Sequence, residues 1–104
     1  MDKNITYSAN VLYAMDSTLR ETYYIHLQDI MKHCRTDCKV RIRNICISVY
    51  KKLTGEKITD VARVFERDRS TVYHALGYVE KHMDDEKFRH DYDMFESIMR
   101  EKLK

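Results

Sequence analysis

Apolar residues recur at three- and four-residue spacing along nearly the whole chain, a period that predicts amphipathic helices joined by short connections. A first stretch, about 7–22, puts Val11, Leu12, Met15 and Leu19 on one face. A short second one lies near 27–33. The third, about 38–54, aligns Ile42, Ile45, Cys46, Val49 and Leu53, and Thr54-Gly55 supplies its C-terminal stop. Ile58, Val61, Ala62 and Phe65 form a stripe over about 58–65, and Val72, Ala75, Leu76 and Val79 another over about 69–83. Beyond the break at Met83-Asp84-Asp85-Glu86, a last helix of about 85–102 carries Phe88, Tyr92, Phe95, Ile98, Met99 and Leu103. Its acidic start suits the helix dipole. The expectation is one all-α domain over 1–104, a small bundle of about five helices with its core in 18–83 and a C-terminal helix at 85–102.

The two stripes at 58–65 and 69–83 are separated by a few polar residues, so two short helices meet there at a steep angle, as in a helix-turn-helix. Ala62 is small enough to let the second helix approach. Asp68 is placed to cap that helix by accepting from an amide near Ser70 or Thr71. Arg67, Arg69, Ser70 and Thr71 then crowd its first turn, where side chains and free amides face whatever lies ahead, and a DNA phosphate or base edge fits that place. Tyr73, His74, Gly77 and Tyr78 fall largely off the apolar stripe. Two helices of an ordinary bundle would show the same stripes; the arginines and hydroxyls favour DNA.

Arg67-Asp68-Arg69-Ser70-Thr71-Val72-Tyr73-His74-Ala75 resembles the motif of the C-terminal DNA-binding domain of the bacterial replication initiator DnaA, whose usual form is Gly-Arg-Asp-His-Ser/Thr-Thr-Val-Leu-His-Ala. Upstream, Arg41-Ile42-Arg43-Asn44 is similar to the family's Arg-x-Arg-Gln and Lys52-Leu53-Thr54 to its Glu-Leu-Thr. Tyr23 to Met31 resembles its Tyr-x-Ile-x-x-x-Asp-Leu-Leu pattern. The likeness covers about residues 18–83 and implies a Trp-repressor-like helix-turn-helix that binds double-stranded DNA as a monomer, in replication initiation or its control. Two departures from the family matter for DNA reading. Histidine, which helps read bases, is replaced by Arg69, a residue that can fork onto O6 and N7 of a guanine. The family's minor-groove arginine falls at Asp37 in an ungapped alignment, with Arg35 or Lys39 as its substitutes.

Charge sharpens the picture. The formal net charge is only +2, yet residues 32–52 hold seven cations against one acid, a net +6. Lys32, Arg35, Lys39, Arg41, Arg43, Lys51 and Lys52 form this block. Standing alone it would read as a solvated helix face; beside a groove-reading helix it reads as a phosphate clamp. The expected DNA-binding set is Arg35, Lys39, Arg41, Arg43, Arg67, Asp68, Arg69, Ser70, Thr71 and His74. Arg69, Ser70 and Thr71 are assigned to base edges, Arg67 and Asp68 to orienting that front, and Lys39, Arg41 and Arg43 to phosphates.

Other chemistry finds less support. With 104 residues, 43% hydrophobic content, no proline and two glycines, the chain can build one helical core and offers little turn punctuation for strands. No apolar run approaches the roughly 20 residues that cross a membrane, and Met1-Asp2-Lys3-Asn4 does not begin like a signal peptide. A cytoplasmic, nucleoid-associated protein with reduced thiols is expected. His33, Cys34 and Cys38 lack a second ligand pair at zinc spacing, so no metal or other cofactor is assigned. No Gly-x-x-x-x-Gly-Lys-Ser/Thr loop is present, and the length leaves no room for the ATPase that full initiators carry. Binding rather than enzymatic activity is expected, with replication proteins as further partners. The methionines at 15, 31, 83, 94 and 99 read as core filler. Two rival classes are a dimeric transcriptional repressor, which requires a palindromic site, and a helical protein-binding adaptor, which requires no salt-sensitive DNA binding.

Overall fold

The computed structural model describes the backbone of residues 3–31 and 37–104 and the side chains of 9–31 and 38–104. Among these residues the chain forms six helices: α1 (Lys3–Tyr23), α2 (Leu27–Met31), α3 (Asp37–Thr54), α4 (Ile58–Val64), α5 (Arg69–His82) and α6 (Glu86–Lys102). No strand forms among them. Each of the six stretches marked out by the apolar period forms a helix, so the bundle has six helices rather than about five.

Each boundary has a local cause. Tyr24 takes a left-handed φ of 61°, and the Ile25 amide reaches back to the Leu19 carbonyl to close α1. Asp16 then accepts the Leu27 amide at 2.7 Å, and Asp29 accepts the His26 amide at 2.9 Å, so two carboxylates hold the start of α2. At the end of α3, Gly55 has φ +70° and donates its amide to the Lys51 carbonyl at 2.8 Å, the expected stop. Asp85 caps α6 by accepting the Lys87 amide.

α3 occupies the middle of the bundle. Helices α1, α2, α4 and α5 pack on it, with α5 making its most extensive contact there, while α6 lies against α1. Accordingly α3 is buried on more than the one predicted stripe: Ile47 and Tyr50 are fully enclosed together with Ile45, Cys46 and Val49. Tyr50 meets Phe65 edge-on and donates its hydroxyl to Glu56 at 2.9 Å, tying α3 to the connection that leads into α4. Asn44, from the Arg-x-Arg-Gln-like segment, is fully buried, and its carboxamide has no hydrogen-bond partner among the described residues. Phe88, Tyr92, Phe95 and Met99 close the core from α6.

Two sequence expectations need correction. Met94 is exposed and fills no core, because it lies on the outer face of α6. Leu53, assigned to the buried stripe of α3, is only partly buried, since it sits in the last turn of its helix. Cys46 is fully buried, and burial pushes its thiol well above the ordinary range, so it behaves as an inert apolar group. No helix among the described residues is long and apolar enough to cross a membrane, and no three metal-ligating side chains cluster there. His33 and Cys34 lie outside the described residues.

Candidate nucleic-acid interface

The turn between α4 and α5 is built from backbone hydrogen bonds. Phe65 ends α4, Glu66 adopts φ 55°, and the Arg67 amide donates to the Ala62 carbonyl at 2.9 Å. Side chains other than glycine pay for this left-handed conformation with a clash at Cβ. The family motif has glycine where Glu66 stands, and the backbone here shows why.

Asp68 follows in extended conformation and organises the front of α5. Its Oδ1 accepts the Thr71 amide at 3.1 Å, the Ser70 hydroxyl at 2.7 Å and the Thr71 hydroxyl at 3.0 Å. The Ser70 hydroxyl first, then the Thr71 amide and hydroxyl, hold the carboxyl below the usual aspartate range. With their protons directed at Asp68, both hydroxyls turn oxygen lone pairs outward. Such acceptors match the N4 amine of cytosine or the N6 amine of adenine.

Arg67 is directed into the protein. Its Nη2 donates to the Met31 carbonyl at 2.7 Å, fastening the turn to the end of α2. By contrast, the side chains of Arg69 and His74 are exposed and make no hydrogen bond or ion pair with another described residue. At about 100° per residue, Ser70, Tyr73, His74, Gly77 and Lys81 fall on one side of α5, opposite Val72, Ala75 and Val79. All five are exposed and the opposing three are buried. Tyr73, with 62% of its surface open, and Lys81 were not assigned to the interface from the sequence. Their signal is the outward counterpart of the apolar stripe, three and eleven residues on from Ser70.

The basic block does not form one surface. Residues two apart on a helix point about 200° away from each other, so Lys39 and Arg43 share one side of α3 and Arg41 takes another. Arg41 Nη2 pairs with Asp91 at 3.0 Å and its guanidinium lies 5.3 Å from the centre of the Phe88 ring. Lys52 does the same further along, with Glu96 at 3.0 Å and the Tyr92 ring at 5.9 Å. Lys39 and Arg43 are half-buried. Arg35 lies outside the described residues.

The bacterial dnaA protein helix-turn-helix matches residues 15–79, from the middle of α1 to the end of the buried stripe of α5. The chromosomal replication initiator protein DnaA of Ehrlichia ruminantium (strain Gardel) is 31% identical over 91 residues, which make up 86% of this chain and 20% of that protein. The same figures hold for the protein of strain Welgevonden. DnaA of Anaplasma marginale (strain St. Maries) is 33% identical over 67 residues, 64% of this chain and 14% of that protein. The chain thus spans about a fifth or less of the length of these relatives. No solved structure matches it. With the matched segment covering well over half of the residues and containing both the capped front of α5 and the turn that sets it, the chain belongs to the bacterial DnaA helix-turn-helix family.

Proposed function

We propose that this chain is a sequence-specific module for duplex DNA that inserts the front and outer stripe of α5 into the major groove. The observation that carries the reading is the front fixed by Asp68. One carboxylate orients Ser70 and Thr71 while the neighbouring Arg69 remains exposed. Arg69 is assigned to the guanine edge, Ser70 and Thr71 to base amines, and Tyr73 and His74 to the groove wall. Arg67 and Asp68 orient the front. Lys39 and Arg43 are assigned to flanking phosphates, with Arg35 as the minor-groove arm. The role is replication initiation or its control, as a cytoplasmic monomer, with replication proteins as further partners. Family membership supports this role.

Selection of bound duplexes from a random pool tests the reading. Enrichment of one short asymmetric site bound by a monomer is expected. A palindromic site bound by a dimer would replace the reading with a repressor, and recovery of no sequence would end it.

A further inference from the structure

Helix α6 repeats one arrangement twice. Phe88 and Asp91 hold Arg41 between a ring face and a carboxylate, and Tyr92 and Glu96 hold Lys52 in the same manner. Arg41 and Lys52 are eleven residues apart, close to three full turns, and therefore share a side of α3. Ser48, between them, meets the Tyr92 hydroxyl at 3.3 Å. The contacts occur in the same order along both helices and are made by long side chains reaching across, since the backbone of α6 packs on α1 rather than on α3. The two carboxylates are well covered, with 27% of the Asp91 side chain and 12% of the Glu96 side chain exposed. Glu96 also accepts from Arg100 at 2.7 Å, which fixes it in place.

A ring face beside a negative oxygen is what a nucleic acid strand offers a cation. We propose that α6 acts as an internal competitor for polyanions, with Asp91 and Glu96 withholding Arg41 and Lys52 from phosphate and thereby limiting the chain's electrostatic affinity for DNA. The competition rests on the DNA-binding reading above. It makes the basic block of 32–52 weaker in practice than its charge of +6. Each cation released to a phosphate would add close to one counterion to those displaced on binding.

The test compares Asp91→Asn/Glu96→Gln with Asp93→Asn/Glu101→Gln, which changes net charge equally at exposed sites without uncovering a cation of α3. Affinity for a short mixed-sequence DNA duplex is measured over a range of salt, and melting curves establish that each variant is folded. The first variant is expected to bind more tightly than the control, with its log-affinity against log-salt slope steeper by up to about 2 units. The single change Asp91→Asn, which leaves the Lys52 pair intact, should give about half of that and serves if the double variant does not fold. Equal slopes in the two double variants, or a shallower slope on loss of the carboxylates, would overturn the proposal. Failure of the unaltered chain to bind duplex at any salt would instead refute the DNA-binding reading. Elution from immobilised heparin then decides the competition separately: release of Asp91→Asn/Glu96→Gln at no higher salt than the control would overturn it.

Discussion

Arg69 and Thr71 stand two residues apart in the first turn of α5, yet the structure gives them different kinds of work. Arg69 is exposed, so replacing it by alanine should leave the melting temperature unchanged. Binding to the preferred site should weaken by about 1–3 kcal/mol, with relaxed choice at one base pair, as read by competition among duplexes differing at single positions. Equal loss on every sequence would reassign Arg69 to the phosphates. Thr71→Ala removes a hydroxyl but keeps the amide that Asp68 accepts. Since the cap proper survives, the melting temperature should shift far less than the several degrees that loss of a cap of about 1 kcal/mol produces. Specific binding should nevertheless fall. A large stability loss with undiminished selectivity would place the Thr71 hydroxyl in the capping structure alone.

At the level of elements, the connection between α4 and α5 carries a conformational cost that can be relieved. Glu66→Gly should raise the melting temperature by roughly 5 °C, the shift that about 1 kcal/mol gives in a domain of this size. Its DNA site should be unchanged. An unaltered or lower melting temperature would mean that the Glu66 side chain contributes more than the left-handed backbone costs. The helices themselves were legible in the sequence because the apolar period runs through them, and at three of the six a local signal agrees: Asp68 opens α5, Asp85 opens α6 and Gly55 ends α3. The destination of long side chains was not legible. Arg41 and Lys52 reach partners 50 and 44 residues away, and Arg67 a carbonyl 36 residues away. Local pattern cannot anticipate such pairings, whereas the orientation of Ser70 and Thr71 is set within three residues and could be read directly.

For the molecule as a whole, the division of the basic block decides how charge is presented. A one-dimensional count treats 32–52 as a single clamp, but the bundle turns Arg41 and Lys52 toward α6 and leaves Lys39 and Arg43 on a different side of α3. Lys39→Ala should therefore weaken binding alike on all sequences and flatten the salt slope by about 0.9, measured by titration over a range of salt. An unchanged slope would remove Lys39 from the clamp. Arg41→Ala is the poorer test of phosphate contact, since it also breaks the pair with Asp91 that joins α3 to α6.

The central position of α3 has a further consequence in time. The amides of its buried middle, at Ile45 to Val49, lie among four neighbouring helices, so they should exchange with solvent deuterium only when the whole bundle opens, whereas the five-residue α2 is expected to open on its own. A ligand that binds only the folded chain lowers the population of the open form by mass action. Duplex held at the front of α5 should therefore slow exchange in the middle of α3, at Ile45 to Val49, by the factor set by its concentration over its dissociation constant. Exchange there left unchanged by saturating duplex would show that α3 opens without the rest of the bundle. Occupancy of the groove-facing surface is thus recorded in buried amides that touch no nucleic acid.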